Sequence, residues 1–377
     1  MKICVDARGL NWYKGTGIGT YTYNLLVNMI NLNREDFYHI FWSGGDYDSF
    51  HNDKTKILMA SKKHQRFFES YYIPSFVKKE LIDIYHIPQN GIGLEENIDC
   101  KKVVTIHDLI PYILPETVGK GYLKKFLTTM PKIMDNSHGI LTVSNYSKKD
   151  ILRFFPEIDE DDVFVTPLAA NENYRPLNKD ICKKHVQEKY GINTPFFLYL
   201  GGFSSRKNVK GLILAFEKAF RSFPKERSLL IIGSLREEGE KLKQLVQDKS
   251  LQKNIVFGGF CENSDLPVLY NACEAFVYPS LYEGFGLPPL EAMSCATPVI
   301  TSNITSIPEV VGDNGLLINP LDILDISNAL VKISEDSNLS EDLSIKGLER
   351  SKYYSWENTA KETLKAYNKI NEKYLFE

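Results

Sequence analysis

Two adjacent cations, Arg206 and Lys207, lie in the stretch Leu200-Gly201-Gly202-Phe203-Ser204-Ser205-Arg206-Lys207-Asn208, directly after an apolar run that reads as a strand. A guanidinium grips two oxygens at once and an ammonium adds a mobile charge, so the pair suits a diphosphate. Were that diphosphate a leaving group, the same cations would stabilise the charge that builds on it as its bond breaks. A second set of chemical residues occupies Tyr282-Glu283-Gly284-Phe285-Gly286-Leu287-Pro288-Pro289-Leu290-Glu291-Ala292, with seven residues between the two glutamates. Paired prolines suit the first turn of a helix, which leaves Glu283 in the loop before it and puts Glu291 inside it. Eight residues of ideal helix span about 12 Å, so the two carboxylates cannot share one diol. They can accept hydrogen bonds from hydroxyls at opposite ends of an extended polyhydroxylated ligand, with the amides of Gly284 and Gly286 exposed between them.

Two weaker signals accompany these. His107-Asp108 follows Val103-Val104-Thr105-Ile106, which puts its side chains at the edge of a sheet rather than inside a helix. Taken alone, such a pair is more often a satisfied hydrogen-bonded pair than a catalytic one. Gly15-Thr16-Gly17-Ile18-Gly19-Thr20-Tyr21 follows the first strand and opens a helix, where glycine amides and a helix N-terminus favour an anion. Glycines at 15, 17 and 19 do not spell G-x-G-x-x-G, so hydride chemistry on a nicotinamide dinucleotide is weakly supported. A flexible turn before a helix is the plainer alternative.

Short β-rich runs alternate with helical patterns along most of the chain, the mark of parallel sheets wrapped by crossover helices. The first half offers strands at Lys2–Asp6, Tyr38–Trp42, Ile84–Ile87, Val103–Ile106 and Ile140–Val143, with helical spacing over Ile18–Leu32 and Leu123–Met134. The second half offers Phe196–Leu200, Leu229–Ile232, Ile255–Phe257, Ala275–Tyr278, Pro298–Thr301 and Leu316–Ile318. Two doubly wound α/β units result. Thr166–Lys179, rich in Pro, Asn and Ala, reads as the connection between them. The expected domains are 1–175 and 176–355, with a final helix over 356–377 packing back on the first. In open parallel sheets ligands sit outside the carboxyl ends of the strands, which is where most of these motifs fall.

A chain of 377 residues exceeds what one core usually organises. Its net charge of −3 supplies no field that would hold nucleic acid. The six cysteines form neither a C-x-x-C pair nor a cluster with metal-ligand spacing, and read as reduced thiols. Met1–Asp6 reads as a core strand rather than a signal peptide, and no run approaches the roughly 18 apolar residues of a membrane span. The expectation is a cytoplasmic protein.

Taken in order, these pieces resemble glycosyltransferase family 4, the group 1 glycosyltransferases of GT-B fold. The pieces are Gly17-Ile18-Gly19, His107-Asp108, Thr142-Val143-Ser144, Arg206-Lys207-Asn208, the Glu283/Glu291 motif and Ser306-Ile307-Pro308-Glu309. The resemblance implies two Rossmann-like domains facing across a cleft and a retaining, nucleotide-sugar-dependent hexosyltransferase with no metal or other cofactor. It implies a UDP- or GDP-sugar donor of mannose, glucose or GlcNAc type and a saccharide or lipid-linked acceptor, in cell-surface polysaccharide or glycolipid synthesis. Arg206 and Lys207 would bind the donor diphosphate, Glu283 and the Phe285–Leu287 backbone with Gly284 and Gly286 the transferred sugar, and Glu291 the ribose. Gly17 and Gly202 would also line the donor; His107, Asp108 and Gly17 would stand on the acceptor side, with His107 facing the sugar and forming the catalytic set with Glu283, Arg206 and Lys207. Many relatives carry an arginine where this chain has Gly202, which puts more weight on Arg206. Retention is commonly explained by a front-face mechanism in which the donor phosphate helps deprotonate the acceptor; a covalent route through Glu283 or Asp108 is the alternative. A nucleotide-sugar 2-epimerase of the same fold and a non-catalytic nucleotide-sugar-binding subunit are the rival functions.

Three further signals have plain readings. Asp46-Tyr47-Asp48 resembles a D-x-D metal site, but after Gly44-Gly45 it reads as a turn. Asp159-Glu160-Asp161-Asp162 reads as a solvated acidic loop. Lys62–Lys79 interleaves Lys62, Lys63, Arg66, Lys78 and Lys79 with Phe67, Phe68, Tyr71 and Tyr72, and Tyr122–Lys132 is similar. Such segments either pack as ordinary amphipathic elements or rest peripherally on an anionic membrane, here the inner face of the plasma membrane.

Overall fold

The computed structural model describes residues 1–13, 15–32, 35–45 and 47–374. The chain divides into two compact units, Met1–Leu168 with Ser355–Glu377, and Ala169–Tyr354. Each is built on one all-parallel sheet.

The first sheet comprises β1 (Lys2–Asp6), β2 (Phe37–Trp42), β3 (Thr55–Met59), β4 (Ile84–Ile87), β5 (Lys101–Ile106), β6 (Gly139–Thr142) and β7 (Val163–Val165), in the order β3-β2-β1-β4-β5-β6-β7. The sequence pattern locates five of these and misses β3 and β7. Both are edge strands, and the half-buried or exposed residues of β3 dilute the apolar run that marks a central strand. The stretch after β1 contains a short helix over Arg8–Trp12 before the long one at Gly17–Leu32. Gly17, Ile18 and Gly19 are therefore the first turn of that helix, and the turn before it uses Gly15 at φ +78°. Gly19 has a steric reason: a Cβ there would lie 2.5 Å from the Tyr13 carbonyl oxygen.

The closing helix Trp356–Lys373 packs on Gly17–Leu32 within this unit. Its N-cap is Ser355, whose hydroxyl accepts from the Asn358 amide at 3.1 Å. Tyr367 reaches the buried His86 with 2.7 Å between its hydroxyl and Nδ1. At its far end Lys373 donates to Asp162 Oδ1 at 2.8 Å and Asp159 Oδ2 at 3.1 Å. The acidic loop, expected to be merely solvated, is thus a clasp on the last helical lysine. Asp46 lies outside the described residues, and Asp48 opens a single 3-10 turn, Asp48–Phe50.

The second sheet comprises β8 (Phe196–Leu200), β9 (Ser228–Ile232), β10 (Ile255–Gly259), β11 (Ala275–Tyr278), β12 (Val299–Ser302) and β13 (Leu316–Ile318), in the order β10-β9-β8-β11-β12-β13. All six sequence-derived strands are present, three with the expected bounds and three with ends shifted by one or two residues. The central strands are buried on both faces, as a parallel sheet covered by helices requires. A single core of side chains from β8, β9, β11 and the flanking helices fills the unit.

Strand order reverses between β1 and β4 in the first sheet and between β8 and β11 in the second. In open parallel sheets this is where a crevice opens at the carboxyl edge. Among the described residues no helix is long and apolar enough to cross a membrane, and all six cysteines are unpaired.

Candidate functional site

In the second unit the switch point is flanked by the loops after β8 and β11, and the side chains of both loops meet. After β8 the chain passes Gly201 at φ +150° and Gly202, whose carbonyl accepts from the Tyr199 hydroxyl at 2.6 Å. It then forms a 3-10 turn over Ser205–Lys207 and reverses at Asn208 (φ 54°) into helix Val209–Ala219. That turn places Arg206 and Lys207 side by side. Opposite them, after β11, comes Glu283.

The Glu283 carboxylate is the hub. Its Oε1 accepts from Lys207 Nζ at 2.6 Å, Arg206 Nη1 at 3.0 Å, the Tyr278 hydroxyl at 3.0 Å and the Ser280 hydroxyl at 2.5 Å. Arg206 Nη1 also donates to the Tyr282 carbonyl at 2.9 Å, and Lys207 to the Tyr278 hydroxyl. Burial alone would push this acid upward. The charges of Lys207 and Arg206 and the donated bonds outweigh it and bring the Glu283 carboxyl down to about 2. At neutral pH the cluster sets one anion between two cations.

The loop carrying Glu283 is braced from a third segment. Ser306 donates to the carbonyls of Glu283 at 2.8 Å and Phe285 at 2.7 Å, and Thr305 Oγ1 accepts from the Glu283 amide at 3.4 Å. Gly286 is the N-cap of helix Leu287–Ser294 at φ +118°, a conformation that favours glycine. The expected division, Glu283 in the loop and Glu291 in the helix with Pro288 and Pro289 in its first turn, is the one observed.

Glu291 sits in another environment. It is 9% exposed, and Tyr270 donates to its Oε2 at 3.0 Å. No cation pairs with it among the described residues. Burial pushes its carboxyl up to about 7, against the downward pull of bonds from Tyr270 and Tyr174.

In the first unit His107 and Asp108 follow β5, and the imidazole is 7% exposed. Its Nε2 lies 2.9 Å from the Pro88 carbonyl oxygen, and its backbone amide donates to Asn90 Oδ1 at 2.9 Å. Because a carbonyl can only accept, Nε2 carries the proton and Nδ1 the lone pair. Burial brings this imidazole down to about 4, so it is neutral near pH 7. Tyr21, from the helix opened by Gly17, stands edge-on to the ring at 4.9 Å. Asp108 Oδ1 accepts from the Ile110 amide at 3.1 Å. Gly17 itself is exposed, with nothing within 4 Å of where a Cβ would stand.

The structure thus brings Arg206, Lys207 and Glu283 into contact, seats Gly284, Phe285 and Gly286 on the braced loop with Leu287 opening the helix after it, and buries Glu291 and His107. Sequence reasoning missed Tyr278 and Ser280 on Glu283, and Tyr270 and Tyr174 at Glu291. Tyr278 ends β11 and Ser280 follows it, so a search for polar residues at strand carboxyl ends would have found both. Tyr270 lies on the helix before β11, and no local spacing links it to Glu291.

A family model described as glycosyl transferases group 1 matches residues 183–350. The chain is 32% identical over 371 residues to the O-antigen chain mannosyltransferase B of Escherichia coli, covering 94% of this chain and 96% of that one. Among solved structures, a sucrose-phosphate synthase from Thermosynechococcus elongatus superposes with a TM-score of 0.78 at 20% identity, over 99% of this chain and 100% of that one. Anabaena Alr3699/HepE, solved in complex with UDP and glucose, gives 0.77 at 15% identity over 98% and 100%. The two parallel-sheet units are those of the GT-B fold. With a full-length relative at this level of identity and the family model over the second unit, the chain belongs to the group 1 glycosyltransferases.

Proposed function

We propose that this enzyme is a retaining mannosyltransferase that takes mannose from a nucleoside diphosphate sugar and adds it to a growing cell-surface polysaccharide. The observation that carries this reading is the meeting of Arg206, Lys207 and Glu283 at the switch point of the second sheet. A diphosphate seated there lies against two cations already held in place, so little ordering is needed on binding. The choice of mannose follows the function named for the Escherichia coli relative.

As the bond from the anomeric carbon to the diphosphate oxygen breaks, its electron pair goes to that oxygen. Arg206 and Lys207 stabilise the charge that develops, with no metal required. The acceptor hydroxyl attacks from the same face and its proton passes to the departing phosphate, which retains the configuration. The Glu283 carboxyl near 2 is a weak base, with four donors on one of its oxygens. That supports a role in holding sugar hydroxyls, together with the Gly284–Leu287 backbone, rather than a covalent one. Glu291 is assigned to the ribose. Gly17, His107 and Asp108 are assigned to the acceptor side, where the neutral Nδ1 of His107 accepts a hydrogen bond from a sugar hydroxyl.

The test is a donor panel of GDP-mannose, UDP-glucose and UDP-GlcNAc with oligomannoside and lipid-linked acceptors, the product anomer read by NMR. Mannose transfer with the donor's configuration, unaffected by chelator, is expected. Inversion, loss of turnover in chelator with recovery in manganese, or an epimerised donor formed without acceptor would each overturn a stated part of the reading.

A further inference from the structure

We propose that Tyr21 is a positioning residue for sugar transfer: it fixes the plane of the His107 imidazole and so decides where the free Nδ1 points. The proposal rests on the glycosyl-transfer reading above, in which that nitrogen meets a sugar hydroxyl. His107 is held at Nε2, 2.9 Å from the Pro88 carbonyl oxygen. Nε2 lies close to the axis of rotation about the Cβ–Cγ bond, so this hydrogen bond resists that rotation weakly, and the torsion itself has broad wells in histidine. Nδ1 lies off the axis and swings as the ring turns. What sets the turn is whatever lies against the ring. The ring of Tyr21 stands at 88° to the imidazole with centroids 4.9 Å apart, a T-shaped contact that favours one relative orientation of the two rings.

Tyr21 is itself held so that it cannot follow the imidazole. It lies about one turn into helix Gly17–Leu32, and Trp356, which opens the closing helix, packs on it with centroids 6.4 Å apart. Its hydroxyl is 3.0 Å from Thr105 Oγ1 in β5. Thr105 Oγ1 is 2.8 Å from His86 Nε2 in β4, and His86 Nδ1 is 2.7 Å from the Tyr367 hydroxyl of the closing helix. Burial brings His86 down to about 3, so its ring is neutral; it donates through one nitrogen, accepts through the other and joins the two hydroxyls on either side.

Tyr21, Thr105, His86 and Tyr367 are each 0% exposed. A line of four buried polar side chains carries a desolvation cost that apolar side chains of the same size would avoid. What a fully paired line returns is a single arrangement of its members. This one runs from the closing helix through two neighbouring strands and ends at the ring that faces His107, which is where a fixed orientation matters to the proposed chemistry.

The test has a kinetic and a spectroscopic arm. Tyr21→Leu removes the ring and should lower kcat up to about 100-fold at saturating donor and acceptor, the scale of a misplacement of about 1 Å, with the donor KM unchanged. Tyr21→Phe keeps the ring and should restore most of that loss. Thr105→Val releases the Tyr21 hydroxyl without touching the ring pair and should fall between them. In the second arm, 15N NMR reads the histidine rings of the free protein, with His107 assigned by its disappearance in His107→Gln. The parent should show the two separated nitrogen signals of a neutral imidazole protonated at Nε2. In Tyr21→Leu these should move toward each other as the freed ring exchanges tautomers; in Tyr21→Phe they should stay. Because this arm uses neither donor nor acceptor, a parent that transfers no sugar would sink the glycosyl-transfer reading while leaving the orientation of His107 by Tyr21 intact. Melting temperature and nucleoside diphosphate binding report folding, and if Tyr21→Leu does not fold, Thr105→Val carries both arms. Unchanged kcat in the folded variant, a loss explained wholly by donor KM, or a loss with unmoved His107 nitrogens would overturn the proposal.

Discussion

Glu283 and Glu291 lie on one short stretch of chain, yet the fold treats them in opposite ways. Glu283, in the loop, faces two cations and two hydroxyls and is held as an anion down to about 2. Glu291, about one turn into the helix that follows, is buried against tyrosines with no cation among the described residues, and its carboxyl is raised to about 7. Burial acts upward on both; only the partners differ. The first group is therefore committed to charge, while the second is poised to change protonation near neutral pH, a distinction set by environment rather than residue type.

The sharpest way to break this contrast is at its cationic side. Lys207→Ala, or Arg206→Ala, should lower kcat about 100-fold or more, as loss of one donor to a developing charge commonly does. Initial rates at saturating donor check it, and unchanged turnover would remove the diphosphate from this cluster.

A smaller effect is expected at the poised acid. Ribose hydroxyls donate to an ionised carboxylate, and the ionised fraction of Glu291 rises with pH through about 7. Nucleoside diphosphate binding should therefore tighten up to about tenfold from pH 6 to pH 8, as the carboxylate fraction climbs. Glu291→Gln should flatten that dependence, as calorimetry at the two pH values would show.

Stability should separate the pair in sign. The folded-state value of Glu283 lies below its ordinary 4.5, so its contribution is present above 4.5 and lost as pH falls toward 2. That of Glu291 lies above 4.5, so the native state loses stability as pH rises from 4.5 through 7. Melting curves of Glu283→Gln and Glu291→Gln should diverge accordingly: the first loses the acid-side slope, the second gains relative to the parent toward pH 8. The mildest expected change is at the closing helix. Tyr367→Phe removes one buried hydroxyl bond to His86 and should cost about 1 to 3 kcal/mol by denaturant titration, with the upper end reflecting an unpaired imidazole nitrogen.

Much of this was legible beforehand where the signal is local. The central strands declared themselves as apolar β-branched runs, and Pro288-Pro289 after Gly286 marked the helix start that divides the two glutamates. The edge strands β3 and β7 escaped because half-exposed residues interrupt their pattern. The clasp of Asp159 and Asp162 on Lys373 escaped because its partners are about two hundred residues apart in the chain. Likewise, adjacent cations stood out in the sequence, but nothing in their neighbourhood pointed to Glu283 as the group that holds them.

By itself the order of residues determined which side chains stand at strand ends, because period and turn chemistry are properties of a few neighbours. It also determined the family, through several weak motifs in a specific order. Only the tertiary structure decided the charge states. A carboxyl or imidazole responds to burial and to charges within a few ångströms, and those neighbours arrive from distant segments when β8 and β11 are laid side by side.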